Sequence, residues 1–251
     1  MYQEERLVKI LEYLNEHNYM SIHSICDLLQ VSRDTARRDI LKLIEQKAAM
    51  RTHGGISLPI LTNTIQAYRQ RLQSYSGEKK LIAQKALDFI QESEHYFFDV
   101  STIVRFLAEE ISKKIWVLTH SLDNIEILSE KVDVNTNLIG GCLHHKNRFF
   151  YKPGCTEYFA ELRVDIAFLG AAAITTDGIY YMDEEDAFIK KSIVRKADKV
   201  ILLAEYDKFK CLSYYKGVNW EQLDILITNK RPPASFMEVI EANDIQLIIA
   251  E

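Results

Sequence analysis

From Gln3 to about His17 the apolar residues Leu7, Ile10, Leu11 and Leu14 recur at helical spacing while polar residues fill the other faces, which predicts an amphipathic helix. Ser21 stands as the N-cap of a second short helix carrying Ile22, Ile25, Leu28 and Leu29. Val31 makes a turn, and Ser32 caps a third helix from Arg33 to about Glu45, whose Ala36, Ile40, Leu41, Leu43 and Ile44 can face the first two. Three helices of this size make a compact unit. The tail "MRTHGG", a short extended segment ending in two glycines, predicts a hairpin beside the third helix, so the first unit reads as a winged helix-turn-helix over residues 1–57.

Residues 58–76 are polar and weakly periodic and read as a linker that is partly helical. From residue 77 to 251 the pattern changes. Strand-like runs "HYFF", "IWVL", "TNLIG", "DIAFLG", "KVILLA", "DILIT" and "IQLII" alternate with helical ones such as 78–91, 102–113 and 185–197. That alternation predicts a larger α/β domain with a mainly parallel sheet and helices on both faces.

The 251 residues and 47% hydrophobic content suffice for a substantial core, and no uncharged apolar run approaches the length of a membrane span. Four widely spaced cysteines and the absence of an apolar leader are read as reduced thiols in a cytoplasm. A formal charge of -5 argues against wholesale coating of nucleic acid, yet the stretch from Val31 to Gly55 is locally basic. It holds Arg33, Arg37, Arg38, Lys42, Lys47 and Arg51 against Asp34, Asp39 and Glu45.

Spacing gives this charge a direction. Arg33 and Arg37, and likewise Arg38 and Lys42, are four apart, which turns them toward one side with Ser32 and Thr35 near the helix start. There a helix-turn-helix meets DNA: arginine bonds a guanine edge with two donors, and hydroxyls with backbone N–H groups hold phosphate. Arg51 and His53 in the wing, with Gly54 and Gly55 permitting close backbone approach, would clamp the backbone or a flanking groove. The plain alternative, a solvated face paired internally with Asp34, Asp39 and Glu45, accounts for the charges but not for the three-helix register, the Val-Ser turn and the basic glycine tail together.

In the second domain the carboxyl ends of strands carry polar corners, where open parallel sheets gather ligands. Asp99, Ser101 and Thr102 follow "FF", and Thr119, His120 and Ser121 follow "WVL", each pair of hydroxyls standing at a helix start able to hold phosphate. Gly140, Gly141 and Gly170 end two further strands. Helix capping explains Ser101, Thr102 and Ser121 one at a time; their convergence argues for a pocket.

"VSRDTARRDILKLIEQKAAMRTHGG" resembles the signature of the DeoR-type bacterial transcriptional regulators, with its Val-Ser turn, Thr, Arg-Arg-Asp triplet and Arg-x-His-Gly-Gly tail. The resemblance implies a C-terminal domain that senses a phosphorylated sugar or related anionic metabolite on a ribose-5-phosphate-isomerase-like fold. Over that domain, Asp99 to Ile103 correspond to the family's Asp-x-Gly-Thr-Thr loop and Thr119 to Leu122 to its Thr-Asn-Ser-Leu. By the same resemblance Asp186 and Lys190, and Glu205 and Lys208, become effector-binding candidates, with structural ion pairs as the alternative for Asp186, Glu205 and Lys190. The chain departs from the family at Ala36, Lys47, Ser101, Ile103 and His120. Ser101 and Ile103 cost the loop backbone freedom and one hydroxyl, Lys47 implies a helix end without a left-handed cap, and His120 in place of an amide implies pH-dependent binding. Arg105 is either a phosphate partner or an ion-pair partner of Glu109.

A sugar-phosphate isomerase is the enzymatic rival, but Ala172 and Thr175 stand where its carboxylates are expected. Cys142, His144, His145 and Cys155 lack a finger spacing, and surface histidines with buried cysteines are expected instead. The sequence thus predicts a repressor of a carbohydrate operon without cofactor or metal, binding double-stranded operator DNA and a sugar phosphate as a homo-oligomer. Lys190→Ala is expected to weaken effector binding without unfolding the free domain.

Overall fold

A computed structural model describes residues 3–17, 19–46, 48–52, 55–57, 74–152, 159 and 161–251. Contacts divide the chain into two compact units, 1–65 and 66–251. Residues 58–73, most of the sequence-predicted linker, lie outside the described residues.

In the first unit, helices α1 (Gln3–His17), α2 (Ile22–Leu29) and α3 (Arg33–Glu45) form where periodicity predicts them, joined by strands β1 (Tyr19–Ser21), β2 (Met50–Thr52) and β3 (Gly55–Ser57). The caps explain the sharp boundaries. Ser21 Oγ accepts the Ser24 N–H and Ser32 Oγ the Thr35 N–H, each satisfying a backbone donor that the first helical turn leaves orphaned. Gln30, at φ 53°, ends α2 in a left-handed cap. Helix α3 instead ends on right-handed Gln46, and Lys47 lies outside the described residues. The three strands pair antiparallel in the order β1-β3-β2, and a Cβ at Gly55 would strike the Met20 carbonyl, so only glycine lets these strands cross. Leu7, Ile10, Leu14, Met20, Ile25, Ala36, Ile40, Leu43 and Ile56 close the core.

The second unit is a seven-stranded sheet, parallel in every pair, in the order β15-β14-β12-β9-β4-β5-β6. Its strands are β4 (His95–Phe98), β5 (Ile115–Thr119), β6 (Val134–Leu138), β9 (Val164–Leu169), β12 (Ala197–Leu203), β14 (Ile225–Thr228) and β15 (Gln246–Ile249). Central strands such as β9 and β12 read as continuous apolar runs because both faces are buried, whereas edge strand β6 is polar. Phe97 joins the core cluster on one face; Tyr96 and Phe98 join that on the other. Helices α4 (Ser76–Ala86), α5 (Thr102–Glu110) and α6 (Leu122–Leu128) pack on the second face, and α7 (Glu184–Ile193) with α8 (Ala234–Ala242) on the first.

Two antiparallel pieces are absent from the sequence reading. Strands β10 (Ala173–Thr175), β11 (Gly178–Tyr181) and β13 (Tyr215–Val218) form a small sheet, and β7 (Cys142–His144) with β8 (Phe149–Tyr151) a hairpin. In the hairpin turn Arg148 adopts φ 53°. Its carbonyl accepts the Leu122 N–H, and its guanidinium grips Asp123 at 2.9 Å and Glu126 at 3.0 Å, fastening the turn to the start of α6. Among the described residues no helix is long and apolar enough to cross a membrane.

Candidate functional sites

The core of the first unit fixes the rotation of α3. Ala36, Asp39, Ile40 and Leu43 face inward, leaving Arg33, Asp34, Arg37, Arg38, Leu41 and Glu45 exposed. Asp39 departs from its expected role as a surface counter-charge. It is fully buried and accepts from Arg6 Nε at 2.7 Å, Arg6 Nη2 at 3.0 Å and Gln3 Nε2 at 3.0 Å. The Asp39 hydrogen bond raises the Arg6 guanidinium pKa above its ordinary value, outweighing the burial that works against the charge. Lys42 also turns to α1, donating to Gln3 Oε1 at 3.2 Å, so it leaves the exposed stripe. The carboxylate that looked like a partner for surface arginines therefore locks α3 to α1.

The remaining arginines are weakly engaged. Arg37 approaches Asp34 at 3.8 Å with both side chains largely exposed, and Arg38 Nε donates to the Asp34 carbonyl at 3.3 Å. Arg33 and Arg51 are exposed and form no ion pair among the described residues. Ser32 and Thr35 share a hydroxyl–hydroxyl bond of 3.0 Å at the helix tip. Arg51 lies on β2 opposite Ile56, while His53 and Gly54 lie outside the described residues.

In the second unit the structure assembles a buried charged cluster beyond the carboxyl ends of β4, β5 and β9. Asp99 accepts the Ser101 N–H at 2.7 Å and the Gly170 N–H at 2.6 Å. A Cβ at Gly170 would collide with Ser101 Cβ, so glycine is required for the β9 end to meet this loop. The Lys190 ammonium lies 2.7 and 2.6 Å from the two Asp186 oxygens and 3.3 Å from Asp99 Oδ2, above the Tyr181 ring at 4.1 Å. Its three donors thus face protein carboxylates. His120 Nε2 meets Asp186 at 2.9 Å, and its ring stacks on Phe97 with Phe149 at its edge. Thr119 Oγ1 donates to the Phe98 carbonyl at 2.6 Å and accepts the Ser121 N–H at 3.1 Å.

Burial opposes the charge on Asp186, but Lys190 and the His120 hydrogen bond hold its carboxyl at about 2. Burial likewise opposes the Lys190 charge, and Asp186 and Asp99 outweigh it, raising that pKa. Burial raises the Tyr181 hydroxyl well above its ordinary range, reinforced by Asp99 and Asp186.

The hydroxyls of the sequence-predicted serines serve the helices, and the remaining predicted residues lie outside the charged cluster. Ser101 and Ser121 cap α5 and α6 through the Val104 and Asn124 N–H groups, and Thr102 is buried at the first turn of α5. Glu205 forms a second buried ion pair with Lys79 at 3.2 Å, and Lys208 sits half-buried in the turn after β12. Gly140 and Gly141 are exposed. Gly141 has φ +136° and backs on the Tyr151 carbonyl, whereas nothing crowds Gly140, which therefore has no steric need to be glycine. Arg105 pairs with Glu109 at 2.7 Å. Cys142 is exposed, against the expectation of a buried thiol; His144 is half-buried 3.4 Å from Asp183, and Cys155 lies outside the described residues.

Sequence reading missed Asn124, whose amide reaches the Asp99 carbonyl at 2.8 Å and Thr119 Oγ1 at 3.3 Å. It also missed Arg6, Lys79 and Tyr181. Only Asn124 carried a local signal, standing three residues after a capping serine.

Residues 6–60 match the family described as the DeoR-like helix-turn-helix domain, and residues 74–230 the DeoR C terminal sensor domain. The chain is 38% identical to the HTH-type transcriptional repressor GlcR of Bacillus subtilis (strain 168), over 100% of this chain and 98% of that protein. It is 27% identical to the glycerol-3-phosphate regulon repressor of Escherichia coli (strain K12), over 98% of this chain and 99% of that one. Among solved structures, ribose 5-phosphate isomerase A from Neisseria gonorrhoeae aligns with 52% of each chain at 17% identity and a TM-score of 0.39. With both halves matched, and a full-length relative at 38% identity, the chain belongs to the DeoR family of helix-turn-helix transcriptional regulators.

Proposed function

We propose that the protein is a cytoplasmic repressor that binds operator DNA through its first unit and a phosphorylated sugar or related anionic metabolite through its second. The observation that carries the DNA-reading role is the exposed face of α3, which presents Arg33, Arg37 and Arg38 while the one buried carboxylate beneath them is spent on Arg6. Ser32, Thr35 and the helix tip would hold phosphate; Arg51, His53, Gly54 and Gly55 would form the clamping wing. Self-association would set two such helices about one duplex turn, roughly 34 Å, apart.

Effector contact is assigned to the strand ends around Asp99, Ser101, Thr102, Thr119, His120, Ser121, Gly170, Asp186 and Lys190, with Gly140, Gly141, Glu205 and Lys208 around them. The relatives named as repressors, one of them of a glycerol-3-phosphate regulon, support sensing over turnover. Lys190 is already saturated by Asp99 and Asp186, so an incoming anion must compete with carboxylates for it. Binding would therefore reorganise this cluster and shift the population of DNA-competent arrangements.

The test is a mobility assay on duplex from the protein's own upstream region against scrambled duplex, with and without sugar phosphates. Alanine at Arg37, Arg38 or Arg51 should each weaken binding and flatten the slope of log affinity on log salt by about one unit. Unchanged slopes in all three variants overturn the DNA-reading assignments.

A further inference from the structure

Leu41, expected from its spacing to face the first two helices, is turned outward and lies outside the core cluster of the first unit. Its side chain is 52% exposed, whereas Ile40 and Leu43 beside it are buried. At about 100° of rotation per residue, the buried positions Asp39, Leu43, Ala36 and Ile40 span an arc of about 100°, and Leu41 projects about 150° from the centre of that arc. Arg37 lies about 40° to one side of it and Arg38 about 60° to the other. The Asp39–Arg6 lock fixes that orientation.

An apolar side chain between two exposed guanidinium groups suits a surface that is strongly anionic yet carries isolated methyl groups. A protein partner would have to strip water from both arginines to cover one leucine. The major groove of DNA offers the required combination, because thymine presents its C5-methyl group between rows of phosphates. We propose that Leu41 is a specificity-determining residue that contacts a thymine C5-methyl group in the operator. This rests on the DNA-reading role proposed above.

The experiment uses the full chain and a duplex selected by it from a random pool, prepared with thymine or with uracil, which keeps every hydrogen-bonding group and lacks only the methyl. Replacing thymine by uracil at the contacted position should weaken the parent protein about four-fold, the effect of withdrawing one methyl group from an apolar contact. Leu41→Ala should bind both duplexes equally, with an unchanged melting transition and salt slope. Arg37→Ala should lose affinity for both duplexes while still telling them apart. If Leu41→Ala discriminates as strongly as the parent, or the parent discriminates at no thymine, the inference about Leu41 is overturned. A remaining Arg37→Ala effect would then show that the DNA-reading role itself survives, whereas failure of any duplex to be enriched would overturn both.

Discussion

The outer face of α3 and the charged junction of the α/β unit handle charge in opposite ways. On α3 the Arg37 side chain is 64% exposed and its ion pair is loose, while in the α/β unit Lys190 is 2% exposed and held by two carboxylates. Exposed guanidinium groups keep their hydration and remain available to a polyanion, at little cost to stability. The buried cluster has given up its water, so each member depends on the others. Availability and interdependence separate the surface proposed to read DNA from the junction proposed to respond to a ligand.

The largest expected effect comes from breaking the interdependent side. Lys190→Met removes the ammonium that Asp99 and Asp186 share and should destabilise the α/β unit by about 3–5 kcal/mol. Both tryptophans, Trp116 and Trp220, lie in that unit, so their fluorescence in a urea titration of the full chain reports it. This revises the expectation that Lys190→Ala leaves the free domain intact: of the two roles open to Lys190, ligand contact or structural ion pair, the structure shows the ion pair. A loss below about 1 kcal/mol would erase the contrast between the units.

That revision shows where sequence reasoning reached its limit. The boundaries of α1, α2 and α3 were legible because apolar spacing and Ser21 and Ser32 are local signals. Long apolar runs likewise marked the central parallel strands. Strands β7, β8, β10, β11 and β13 have three or four residues each, too few for any period to emerge. The cluster joins His120 to Asp186 across 66 positions and Asp99 to Gly170 across 71, so only the parallel topology brings them together. Asp39 misled for the opposite reason: its neighbours in sequence are basic, yet its partner, Arg6, comes from another helix.

The lock between α1 and α3 gives the next effect. Arg6→Met strands the Asp39 carboxylate in the core and should cost the first unit about 2–3 kcal/mol, read as lost helical signal ahead of the tryptophan transition. Coincident transitions in that variant would mean that the two units do not unfold separately.

Acid gives the smallest and most selective effect. The Asp186 carboxyl is depressed from its ordinary 3.8 to about 2, so its contribution to stability is present above about pH 4 and disappears as pH falls through about 2. The urea midpoint followed by tryptophan fluorescence should decline across that interval, and less steeply in Asp186→Asn. Parallel declines in both proteins would remove Asp186 as the source.

The turn at Arg148 combines an uncomfortable torsion with three fastenings, to the Leu122 amide, Asp123 and Glu126. Glycine would suit the torsion and asparagine would tolerate it, but neither reaches both carboxylates. An engineer who relaxed this corner would gain a more restful backbone and lose the buckle that keeps the β7–β8 flap over His120.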